Sequence, residues 1–201
     1  MSATISAYDE DNFPFGYSAD DSVRDVLLEF QNSGVAGEHT GGPNEGGFFG
    51  GNAFNGTSYG FTSTTVDGYA FLATGDLHYY FPPFNGSVGD GPTAHTLWGT
   101  LESITLGSGI TSSGAVVDPF VTFTFDDPLY GDIADGRTNV VHDIIWGLMN
   151  GSVTGASDSA GTISQGGLIA ALEDNGLDVD QAFADLVGSS AATETELALA
   201  A

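Results

Sequence analysis

The chain has 201 residues, 30 of them glycine, no cysteine, and 27 acidic against 2 basic side chains, for a formal net charge of −25. With only Arg24 and Arg137 to meet phosphate, nucleic-acid binding is excluded, and an anionic membrane surface would repel the chain. The missing cysteines exclude disulfides, thiolate metal sites and cysteine catalysis, while the length fits one domain with a core of its own.

The N-terminal stretch has a short β segment at Ala3–Ala7 and neither the basic start nor the apolar run of a signal peptide. A helix is predicted over Asp20–Asn32. Ser18 is its N-cap, and Val23, Val26, Leu27 and Phe30 form one apolar stripe. The next 23 residues, Gly34–Gly56, hold 9 glycines, His39 and two phenylalanine-bearing segments, GGFFGG and NAFNG. A structureless stretch of that length is uncommon, and the phenylalanines argue against plain disorder.

From Thr57 the pattern turns to β. Tyr59 and Phe61 alternate with small residues, and Tyr69–Thr74 and Leu77–Phe81 read as two short strands joined by a turn at Gly75-Asp76. After a Pro, Gly, Asn and Asp loop, Thr96–Leu106 reads as a longer strand with a bulge near Gly99, and Phe120–Phe125 as a half-buried antiparallel strand.

The remainder is helical. Asn139 caps a helix carrying Val140, Val141, Ile144, Ile145, Leu148 and Met149, with Gly151 as its stop. His142 and Trp146, four apart, share one edge of it. A second helix spans Leu168–Asp174. Asp178 with Gln181 resembles a capping box opening a last one, with Val179, Phe183 and Leu186 inward. The chain therefore divides into a domain, 1–188, and an acidic-then-apolar tail, 189–201, with no core to join. Helix, strands, then helices is the order of an α+β fold, an antiparallel sheet packed on one face by helices.

Catalytic motifs are scarce: there is no P-loop and no His-Glu-x-x-His. The four histidines, His39, His78, His95 and His142, lack the close spacing of a structural zinc site. Tyr79 or Tyr80 beside a histidine is more suggestive. A phenolate is a hard anionic donor suited to ferric iron, and tyrosine is a haem ligand elsewhere. On residues alone, a plain β-hairpin with Tyr and His packed at its rim accounts for the same stretch, as would an exported structural or adhesive protein, or a Tyr/His metalloenzyme.

Three further stretches bear on this: GDLHY at 75–79, AHTLWG at 94–99 followed by LESITLG, and VVHDIIWGLMNG at 140–151. In their order and spacing they resemble the bacterial secreted haemophores of the HasA type. The first helix, the His-Thr of the glycine-rich loop ending in GGFFGG, and the ELALAA tail extend the likeness over nearly the whole chain.

The resemblance implies one α+β domain holding one haem b between two loops, and a carrier that is not an enzyme. It makes His39 and Tyr79 the axial ligands. His95 becomes the hydrogen-bond partner of the tyrosine, and His142, Trp146 and Met149 become pocket-floor residues, with Thr40 and Leu97 also against the haem. It further implies a monomer secreted by an ABC-type exporter that reads the C-terminal signal. Such a protein takes haem from host haemoproteins and gives it to an outer-membrane receptor. One feature departs from the family: the tract from Tyr79 to His95 is longer than its usual interval.

Overall fold

The computed structural model describes residues 2–38, 46–86, 91–158 and 160–187. Its centre is a six-stranded antiparallel sheet built from β1 (Ala3–Tyr8), β2 (Gly46–Phe49), β3 (Asn55–Thr62), β4 (Ala70–Tyr80), β5 (Thr96–Gly107) and β8 (Val121–Gly131), in the order β1-β8-β5-β4-β3-β2. A small hairpin, β6 (Gly109–Ile110) and β7 (Val116–Val117), lies beside it. The helices are α1 (Val23–Asn32), α2 (Val140–Met149) and α3 (Gly167–Asp174).

Alternation along the strands sends one set of side chains to the helices. Phe71, Ala73 and Leu77 of β4, Leu101, Ile104 and Leu106 of β5, and Phe123 and Phe125 of β8 are buried there with Val26, Leu27, Ile144, Ile145, Leu148 and Leu172. Phe30 of α1 stacks on Tyr69 with ring centroids 4.4 Å apart, and the Tyr69 hydroxyl donates to the Leu148 carbonyl at 2.7 Å. One side chain thus joins α1, the start of β4 and α2. At about 1.5–3 kcal/mol per buried large apolar side chain, this one-sided core holds the sheet in place.

Several local expectations need correction. The first helix begins at Val23, not Asp20, because Ser22 is the cap: its hydroxyl accepts the Asp25 N–H at 3.1 Å and donates to the Asp25 carboxylate at 2.7 Å. Ser18 makes a turn with Asp21 ahead of it. The glycine-rich stretch is not all loop, since GGFF pairs with β3 as an edge strand, Phe48 opposite Tyr59.

Gly75-Asp76 is no turn: β4 runs unbroken through it. Gly75 serves close approach, because a Cβ there would lie 2.0 Å from the Thr100 carbonyl oxygen. The bulge of β5 sits at Glu102, where the pairing with both neighbours shifts, while Gly99 stays in register opposite Leu77. The β8 strand continues past Phe125 to Gly131, with 125–128 out of register against β5. Asp178 and Gln181 do pair, at 2.9 Å, but within a turn; the helical segment starts at 183 with Phe183 buried. Residues 189–201 lie outside the described residues.

Candidate functional site

Strand parity places the tyrosine. Leu77 and Tyr79 share the helix-facing side of β4, and His78 and Tyr80 the other. His78 stacks on Trp98 at 4.3 Å and meets the Asp76 carboxylate at 3.1 Å, on the face away from the core. Tyr80 packs beneath Gly86, whose absent Cβ would otherwise lie 2.2 Å from the Tyr80 hydroxyl. Of the two adjacent tyrosines, Tyr79 alone lines the cavity.

Pairing then fixes the histidine. β4 and β5 stay in register to their ends, Tyr79 opposite Leu97 and Tyr80 opposite Thr96, and the His95 N–H closes the neck on the Tyr80 carbonyl at 2.8 Å. His95 turns through φ 62°, a left-handed conformation that histidine enters more readily than most residues. That turn brings its Nδ1 to 2.9 Å from the Tyr79 hydroxyl. The described parts of the tract between them, 81–86 and 91–94, leave the two strand ends adjacent, and loop length adds only slowly to closure cost.

Burial raises the Tyr79 phenol above its ordinary pKa, opposed by the positive charge of Arg137. Desolvation first and Arg137 second lower His95, so its imidazole is neutral at pH 7 and able to accept a hydrogen bond from the phenol. Phe81 covers both rings, 5.6 Å from Tyr79 and 4.9 Å from His95.

The facing wall comes from α2. Asn139 caps it by accepting the His142 N–H at 2.9 Å, and its amide donates to the Leu97 carbonyl at 3.0 Å. The Leu97 N–H in turn donates to His142 Nδ1 at 3.2 Å. Both backbone groups of Leu97 are thereby tied to the start of the helix. This arrangement makes His142 a neutral Nε2–H tautomer, and burial, then Arg137, lowers its pKa to about 4. Its ring lies parallel to Trp146, at an interplanar angle of 11°.

Tyr79, His95, Leu97, His142, Trp146 and Met149 all open onto one cavity of about 680 Å³. Phe48, Phe54, Tyr59 and Phe81 make most of the remaining lining apolar and aromatic. The volume is that of a site for a drug-sized or larger organic ligand. His39 and Thr40 lie outside the described residues. Glu38, just before them, is fastened: its carboxylate accepts from Ser63 Oγ at 2.8 Å and from the N–H groups of Thr64 and Thr65 at 2.6 and 2.8 Å. These bonds outweigh the cost of desolvation and hold its pKa at about 2.

The composition exposed the rarity of Arg137 but not its place. It lines the cavity, donates to the Ala94 carbonyl at 2.9 Å and pairs with Asp158 at 3.1 Å. Asp158 is itself bound by the Ala160 and Thr162 N–H groups at 2.8 and 2.9 Å. One of only two cations in a chain of net charge −25 was a signal worth following.

Among the described residues, no three His, Asp or Glu side chains converge to hold a bare metal ion. One hard oxygen donor, a neutral histidine and aromatic walls fit a planar apolar group that brings most of its metal's ligands with it, and haem is such a group.

Comparison with known proteins agrees with that chemistry. Residues 1–201 match the family described as Heme-binding protein A (HasA). The Hemophore HasA of Serratia marcescens is 33% identical over 180 residues, covering 85% of each protein. Crystal structures of HasA from Yersinia pestis share the fold. The holo form and the hexagonal apo form each align at TM-score 0.65 and 24% identity, over 92% of this chain and 96% of theirs. The matched family model and the Serratia relative show that this chain belongs to the HasA family of haem-binding proteins.

Proposed function

We propose that this chain is a haemophore: a carrier, not an enzyme, that binds one haem b with Tyr79 as its principal protein ligand. The observation that supports this most is the Tyr79 hydroxyl 2.9 Å from His95 Nδ1, on the wall of an aromatic cavity of about 680 Å³. When bound, haem supplies a ferric centre that prefers an anionic oxygen. Neutral His95 accepts the phenol's hydrogen bond and favours phenolate character, and Arg137 adds positive charge nearby. The aromatic rings shed water onto a flat apolar face, and α2 holds the opposite wall in place through Asn139.

The family likeness supplies the rest of the reading. His39 serves as the second axial ligand, with Thr40 beside it. Residues 189–201 carry the signal read by an ABC-type exporter. Outside the cell the protein takes haem from host haemoproteins and passes it, as a monomer, to an outer-membrane receptor.

Titrating the purified protein with ferric haem tests the reading. The expected result is saturation at one equivalent, with the spectrum of tyrosine-ligated ferric haem. Non-saturating uptake, or a spectrum unchanged from free haem, would overturn it.

A further inference from the structure

The turn that leaves β4 is held to the strand by one side chain. Asn85 Nδ2 donates to the Tyr79 carbonyl at 2.6 Å, and its Oδ1 accepts the Phe81 N–H at 2.6 Å. The Phe84 and Asn85 N–H groups both donate back to the Phe81 carbonyl, at 2.9 and 3.3 Å. Asn85 therefore grips the peptide groups on both sides of Tyr80.

Those groups need an outside partner. The last β3–β4 pair is Asn55 with His78. Beyond it the Tyr79 N–H still reaches the Phe54 carbonyl at 2.8 Å. The Tyr79 carbonyl points to the same side, past the end of β3, and Asn85 takes the place of the missing strand. Gly86 follows directly and allows the turn to lie on the Tyr80 ring, where a side chain would collide. Asn85 belongs to the tract between Tyr79 and His95, so that loop carries its own clamp on the strand end.

We propose that Asn85 is a positioning residue: its amide fixes the backbone of Tyr79 at the open end of β4, and with it the direction of the phenol toward His95. The proposal rests on Tyr79 being the haem ligand. Its primary test needs no haem.

In ¹⁵N-labelled protein without haem, long-range ¹H–¹⁵N spectra at fixed pH report the His95 tautomer. Wild type should show a single Nε2–H form with Nδ1 accepting a hydrogen bond. Asn85→Ala should show averaged tautomers, and its haem should dissociate about five- to tenfold faster, the effect of losing an ordinary hydrogen bond or two. Asn85→Asp keeps an acceptor for Phe81 but loses the donor to Tyr79, and should behave like Asn85→Ala. A wild-type His95 signal and haem off-rate in either variant would overturn the proposal. If wild type bound no haem, the functional reading would fail, while the His95 spectra would still decide the role of Asn85.

Discussion

The two walls of the cavity are built in opposite ways. The α2 wall is buried and cross-tied: Asn139, Leu97 and His142 exchange hydrogen bonds, and His142, Ile145 and Met149 are almost out of contact with water. The Tyr79 wall is the end of a strand pair, half-buried and followed by an exposed turn. The side-chain pair of Tyr79 with His95 is left where a ligand can reach it. The rigid wall sets the shape of the cavity, and the strand end presents the Tyr79 phenol to it. Substitutions in the first should therefore show up as stability, and in the second as binding.

The largest effect is expected at the strand end. Tyr79→Ala should weaken ferric haem binding by about a hundredfold or more, an energy of roughly 3 kcal/mol. His39→Ala should cost less, because a phenolate offsets ferric charge, whereas a neutral imidazole does not. Equilibrium competition for haem would compare them; equal losses, or a greater loss at His39, would reverse the ranking.

On the rigid wall, Asn139→Ala removes the N-cap of α2 and leaves the buried Leu97 carbonyl without its donor. The expected loss is about 2–4 kcal/mol of folding stability. Denaturant unfolding without haem should show it as a lower midpoint. A midpoint within error of wild type would mean that α2 is not held as described.

His142 gives the same wall a pH signature. Its folded pKa of about 4 lies below the ordinary histidine value of 6.5, so the unfolded chain binds more protons between those limits. Stability from keeping this imidazole neutral is full above about pH 6.5 and is lost progressively as pH falls toward about 4. It amounts to no more than about 3 kcal/mol. His142→Gln should flatten that part of the stability profile. A variant profile parallel to wild type would assign the acid sensitivity elsewhere.

The α2 wall was also the more legible in the sequence. Its apolar stripe, Asn139 cap and Gly151 stop are local signals, and each holds in the structure. At the strand end local signals misled. Gly75-Asp76 has the chemistry of a hairpin turn, yet the glycine is spent on a backbone approach to β5 that only the folded sheet creates. GGFF looked like loop because its partner, β3, lies across a turn. Parity along β4 separates Tyr79 from Tyr80 only once the strand is known to be continuous. Arg137, Asp158 and Glu38 act through contacts 21 to 43 residues away, which no local pattern records.

In the proposed haem complex the Tyr79 oxygen, and not merely the aromatic cavity, holds the haem. Tyr79→Phe keeps the ring and removes that oxygen. Its ferric haem complex, measured by absorption and resonance Raman beside wild type, should lack the phenolate charge-transfer and ring-mode signals and should release haem faster. Phenolate signals of wild-type intensity in the variant would contradict the account.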